Sequence, residues 1–137
     1  MSEYDIHKAS AIMIQGGKEL LVRSRGKEHF VEPGGKLKAA ETAVQALIRE
    51  LKEELRVDIE KADLDEFDTY YAPAAGQEDQ QLRLDVFRVY NWHGEIIPDS
   101  EIEEILWVGA KLPPNIKVGS ILQHHIHPRL VEEGVIK

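Results

Sequence analysis

Apolar positions along the chain change period several times, and each change marks an element. Residues 7–15 are rich in small, β-branched and apolar types, Gly16-Gly17 follows, and Glu19-Leu20-Leu21-Val22-Arg23 comes next. Two strands joined by a Gly-Gly turn is the simplest reading. A polar, basic stretch over residues 23–29 leads into Phe30-Val31-Glu32-Pro33-Gly34-Gly35, where proline and two glycines predict a turn or loop. From Thr42 the spacing becomes helical, with Val44, Leu47, Ile48, Leu51 and Leu55 recurring every three or four residues. Thr42 fits the N-cap, which puts Glu41 beside the positive end of the helix dipole.

Residues 57–71 read as a connection followed by a strand. Over residues 81–92, Leu82, Leu84, Val86 and Val89 alternate with Arg83, Asp85 and Arg88, broken by Phe87, which predicts a strand buried mainly on one face. Trp92-His93-Gly94-Glu95 suggests a turn and Ile105-Leu106-Trp107-Val108 a short buried strand. A last helix is expected from about Val118, interrupted or ended near Pro128, with Gly134 as a later cap. No repeat, linker or low-complexity tract interrupts this order. Alternating strands and helices imply an α/β fold with helices packed on a mixed sheet, in a single domain spanning residues 1–137.

Composition adds exclusions. Apolar residues make up 42% and charged residues 31% of the chain, ordinary values for a globular protein. Cysteine is absent, which rules out a disulfide framework, a thiolate metal site and a Cys nucleophile. Met1-Ser2-Glu3-Tyr4-Asp5 lacks the basic and apolar segments of a signal peptide, and no stretch has the length of a membrane span, so a cytoplasmic location is the expectation. A net charge of -8 argues against long nucleic acid as partner. A small anionic substrate stays open, since a bound divalent metal inverts the local field.

The chemistry concentrates on the predicted helix. Glu50, Glu53 and Glu54 share one face within a turn, and like charges so spaced repel by a few tenths of a kcal/mol per pair. A hard divalent cation, Mg²⁺ or Mn²⁺ in its place, relieves that repulsion. Val44, Leu47, Leu51 and Leu55 form an adjoining apolar stripe, so the helix can bury one side while presenting its carboxylates to a cleft. Arg49, four residues before Glu53, can hold that carboxylate in place. In Pro33-Gly34-Gly35 the glycines let backbone approach a metal or phosphate closely. Taken alone, an acidic helix face is most often merely solvated.

The longer pattern alters that balance. Gly35, five residues, Glu41, seven residues, then Arg49-Glu50-Leu51-Lys52-Glu53-Glu54 resembles the Nudix box, and the likeness extends to Pro33-Gly34-Gly35, Leu51 and Val57. One position departs: the late glycine of the box is Arg56, which either takes a left-handed conformation or ends the helix differently. The resemblance implies an α/β/α sandwich with a catalytic loop-helix-loop. It assigns Glu50, Glu53 and Glu54, with a backbone carbonyl at Gly34, to Mg²⁺, makes Arg49 the orienting group, and has Glu41 support loop and helix. A further ligand from a later loop is matched best by Glu101, with Glu103 and Glu104 as rivals. Two or three metal ions would activate a water for in-line attack on phosphorus, with Glu53 or Glu54 as proton acceptor.

Arg23 and Arg25 resemble the phosphate-contacting basic positions of MutT-like members, although either can be a solvated strand-end charge. The resemblance also implies that Gly35 contributes to substrate binding. Phe30, Tyr70, Tyr71 and Trp107 are candidates to stack on a base, although aromatics at strand and loop positions are more often core residues. His124, His125 and His127 could recruit a transition metal, yet a polar helix end explains them as well. The implied reaction is hydrolysis of a nucleoside triphosphate, oxidised ones included, to monophosphate and pyrophosphate. The alternatives are hydrolysis of ADP-ribose or another nucleoside diphosphate linked to a second group, hinted at by Pro73, and a nucleotide-sensing module without catalysis. Base, sugar and oligomeric state are not written in these motifs.

Overall fold

A computed structural model describes residues 4–74 and 77–137. Strand β1 (Ile6–Gln15) turns through Gly16 and Gly17, both at positive φ (61° and 76°), into β2 (Lys18–Ser24). That is the turn which glycine pairs favour, because its twist matches that of the strands. Short strands β3 (His29–Phe30) and β4 (Gly34–Lys36) follow, then helix α1 (Ala43–Leu55), β5 (Leu64–Ala74), β6 (Gln77–Val89), β7 (Ile102–Val108) and β8 (Lys117–Val118). A π-helical segment (Leu122–Ile126) runs into α2 (His127–Glu132).

The main sheet has the order β5-β6-β1-β2-β7, with β4 also paired to β1, and β3 pairs with β8 separately. Strand β1 runs parallel to β6 and antiparallel to β2 and β4, which makes the sheet mixed, as expected. Side-chain alternation sorts the core into two layers. Ala9, Ala11, Met13, Leu20 and Val22 meet Leu47, Leu51 and Leu55 of α1, while Ile12, Leu21, Phe30, Leu84 and Val86 meet Leu122, Ile126 and Leu130 from the C-terminal helical segment. The result is a helix-sheet-helix sandwich. No helix among the described residues is long and apolar enough to cross a membrane.

Several boundaries differ from the sequence reading. The segment read as a loop before Gly35 contains β3 and β4, because Gly34 pairs with Ser10 and Phe30 with Val118. Strand β6 begins four residues earlier than expected and stops at Val89, before Trp92. Val118 is in a strand, and the last helical run starts at Ser120. Pro128 does not end it: the bonding widens just before the proline, where the His127 N–H donates to Leu122 O, and the missing proline N–H falls in the first turn of α2. Gly134, at φ 73°, closes the helix as expected; its N–H donates to Val131 O and that of Val135 to Leu130 O.

Candidate active site

Two glycines bring the loop and α1 into register. Gly34 has φ 148°, and a Cβ there would stand 2.0 Å from Ala9 O, so only glycine lets the loop lie against β1. At Gly35 a Cβ would come within 2.6–2.8 Å of the Glu50 carboxyl group. The Gly34 N–H donates to Glu54 Oε1 at 3.2 Å. Loop backbone and helix carboxylates therefore share one small volume, and side chains at positions 34 and 35 would fill it.

Helix α1 holds its acids by local rules. Thr42 caps it, accepting from the Gln45 N–H at 3.1 Å while the Gln45 side chain accepts from the Thr42 N–H at 2.9 Å, a reciprocal capping box. The apolar stripe then turns Glu54 inward until it is 4% exposed. Arg49 is the hub. Its guanidinium donates twice to Glu41 (2.8 and 2.9 Å), to Glu50 Oε1 (2.9 Å), to Lys36 O (3.1 Å) and more distantly to Glu53 Oε2 (3.4 Å). Its chief partner is thus Glu41, with Glu53 at the margin. Arg49 and the Lys38 N–H hold the Glu41 carboxyl at a pKa of about 2.

The opposite happens at Glu54. Burial, then the adjacent Glu50 carboxylate, push its pKa up to about 8, with Glu101 adding to the push. Two facing carboxylates with oxygen-only donors, one of them reluctant to ionise, have the chemistry that a hard divalent cation stabilises. Glu53, on the same helix and half-exposed, can swing to join them. Among the described residues no three acidic or imidazole side chains are already gathered as a ligand set, because Glu53 leans toward Arg49.

The rival acids of the later loop separate cleanly. Arg23 pairs with Glu103 (2.9 Å) and Glu104 (3.1 Å), whereas Glu101 makes no such pair and its charge is felt by Glu54. Arg25 is exposed, and its backbone N–H donates to Glu101 O at 2.7 Å, anchoring that loop. Arg56 takes the left-handed conformation (φ 59°, ψ 29°), its N–H donating to Lys52 O and its Nε to Asp99 Oδ2 at 2.8 Å. The helix thus ends as a glycine would end it. The Asp99 N–H donates to Glu54 O at 2.8 Å, which ties the loop carrying Glu101 to the end of α1.

On the other face of the sheet from α1 lies an open cavity of about 320 Å³ lined by Arg23, Lys27, Glu28, Phe30, Asn115, Ile116 and Lys117. The Arg23 guanidinium sits 5.9 Å from the centre of the Phe30 ring. Of the aromatic candidates only Phe30 reaches it. Trp107 packs in the layer beneath α1, Tyr70 stacks on His125 at 5.3 Å, and Tyr71 is exposed. Asn115, Lys27 and Lys117 escaped the sequence reading, since nothing in their local pattern marks them. The histidines stay apart: His127 Nε2–H donates to Gly109 O at 2.9 Å. Pro73 lies on edge strand β5, where a missing N–H is tolerated.

The family model of the NUDIX domain matches residues 6–124. The chain belongs to the Nudix hydrolase family. An "8-oxo-dGTP diphosphatase" from Proteus vulgaris is 34% identical over 101 residues, covering 70% of this chain and 86% of that one. The fold is shared with a nudix hydrolase family member from Chromobacterium violaceum (TM-score 0.74, 23% identity, 96% of this chain and 80% of that one). It is shared also with the MutT NUDIX hydrolase from Burkholderia pseudomallei (TM-score 0.71, 20% identity, 93% and 95%). The protein is accordingly a MutT-like Nudix hydrolase, a pyrophosphohydrolase acting on acid anhydrides.

Proposed function

We propose that this Nudix hydrolase cleaves nucleoside triphosphates, oxidised purine triphosphates among them, to the monophosphate and pyrophosphate, with Mg²⁺. The observation that carries this reading is the docking of Glu50 and Glu54 on Gly34 and Gly35; a cavity lined in part by Phe30 supports it with a face on which a base could stack. The activity of the Proteus vulgaris relative points the same way.

Glu50, Glu53 and Glu54, with the Gly34 carbonyl and Glu101, would hold Mg²⁺. The metal, when bound, supplies charge neutralisation for the diphosphate and acidifies an attacking water. Glu53, the most accessible of the three box acids, takes the proton of that water as its oxygen attacks phosphorus and the bridging P–O bond breaks toward pyrophosphate. Arg49 keeps Glu50 and Glu53 aimed at the loop, and Glu41 keeps Arg49 in place. Phe30 offers a stacking face for the base, and Asn115 a donor and an acceptor for its edge.

A substrate panel with Mg²⁺, comparing unmodified and oxidised nucleoside triphosphates with ADP-ribose at equal concentration and identifying the products, tests the proposal. Turnover of a triphosphate with release of pyrophosphate is expected. Turnover of ADP-ribose alone, or of none of them, overturns it.

A further inference from the structure

Lys8 stands in β1 between Lys36 of β4 and Leu84 of β6. By strand alternation it shares a face with Ile12, whose cluster includes Phe30 and Leu84, so its side chain rises on the side of the sheet that holds the cavity. Its half-buried ammonium feels charges from four elements. Lys36 and Lys27, of like sign, act on it more strongly than Glu101 and Glu54, of opposite sign. Burial and these two lysines lower its pKa, and Glu101 and Glu54 offset only part of that effect. Among the described residues the ammonium makes no hydrogen bond or ion pair. The neighbouring arginines are committed by contrast, Arg23 to Glu103, Glu104 and Lys27 O, Arg49 to Glu41, Glu50 and Lys36 O.

A half-buried cation with no hydrogen bond or ion pair, on the cavity face of the sheet and within reach of the charges of Glu54 and Glu101, is arranged for an anion that arrives from outside. We propose that Lys8 is a substrate-binding residue whose ammonium takes the phosphate chain of the substrate on the cavity face of the sheet. This rests on the reading that the substrate is a nucleoside triphosphate. It moves the phosphate-binding role from Arg23, whose donors are occupied, to a residue on the first strand. Lys27 and Lys36, exposed on either side, reinforce the preference for anions without fixing position.

The test compares wild type with Lys8→Met, which keeps the stem and removes the charge, and Lys8→Arg, which restores it. Binding of inorganic tripolyphosphate in Mg²⁺ is measured by calorimetry, thermal unfolding is recorded, and kinetics follow for nucleoside triphosphates. Lys8→Met is expected to weaken tripolyphosphate binding roughly tenfold or more, as loss of a charged hydrogen bond does, and to raise KM more than it lowers kcat. Lys8→Arg retains binding within a few-fold. The unfolding temperature of Lys8→Met should equal or exceed that of wild type, because a desolvated, unpaired ammonium has been removed. Unchanged tripolyphosphate affinity in Lys8→Met, a loss of affinity accompanied by a lower unfolding temperature, or no binding by wild type overturns the proposal. If wild type hydrolyses no nucleoside triphosphate yet Lys8→Met loses tripolyphosphate binding, the substrate reading fails and the role of Lys8 stands.

Discussion

Two pairs of carboxyl groups face each other in this fold, and their neighbours differ. Glu50 and Glu54 meet at the loop, with Arg49 and the Gly34 N–H as donors and half-exposed Glu53 alongside. Glu19 of β2 and Glu32, just before Pro33, meet at 0% and 5% exposure, and Glu19 Oε1 and Oε2 and Glu32 Oε2 find no donor among the described residues. Each pair contains a carboxyl group that resists ionisation. Burial and Glu50 raise Glu54 to about 8, burial raises Glu32 to about 7, and burial followed by Glu32 pushes Glu19 well up. What differs is surroundings. The first pair has a cation and a backbone donor within hydrogen-bond reach, while the second can settle its own repulsion only by sharing a proton.

The comparison breaks most visibly at Glu53. Glu53→Gln should lower kcat by roughly 10²- to 10³-fold, the range for loss of a general base, with little change in unfolding temperature; steady-state kinetics beside a melting curve shows whether both hold. Next in size is the donor that distinguishes the pairs. Arg49→Ala leaves Glu41 and Glu50 without their partner and should cost about 2 kcal/mol in urea unfolding, together with most of the activity. An Arg49→Ala protein as stable as wild type would show that the hub orients without stabilising.

The sealed pair makes its own prediction, in pH. The folded-state pKa of Glu32 lies above its ordinary value of 4.5, so the folded state binds the proton more tightly. The resulting stabilisation is fully present below 4.5 and is lost as pH rises through about 7. Wild type should lose on the order of 2 kcal/mol across that window, and Glu19→Gln, which gives Glu32 an amide donor, should flatten the slope. Equal slopes in chemical denaturation at several pH values would remove the pair from the explanation. Smallest is the helix end: Arg56→Gly relieves a left-handed non-glycine residue but loses the exposed pair with Asp99. A net gain of about 0.5 kcal/mol or less is expected in thermal unfolding.

What could be read from the sequence was what lies close along the chain. Gly34, Gly35, Glu41, Arg49 and the three box glutamates sit within a loop and one helix, where spacing determines proximity, and the N-cap at Thr42 followed from composition alone. The rest depends on strand pairing across long separations. Lys8, Lys27 and Asn115 become neighbours of the site only because β1, the β2–β3 loop and the segment before β8 converge, and no local period encodes that. Arg23 matched a basic position by sequence yet is committed to Glu103 and Glu104, a pairing set by the β2–β7 register. The last helix was misread at its start, since Val118 joins a strand, whereas the interruption expected near Pro128 takes the form of a π-helical widening just ahead of it.

Strand β1 touches β4 at one end, β2 at the other and β6 along its length, and these contacts span very different separations along the chain. Its hairpin with β2 closes through a two-residue turn, whereas its parallel pairing, Ile6 with Leu82 through Met13 with Val89, must wait for a long stretch of chain to come round. Closing so large a loop is entropically slow, and parallel partners have no short route to each other. Every box residue precedes β6 in the chain, so the strand against which their loop lies depends on a neighbour contributed from beyond the motif.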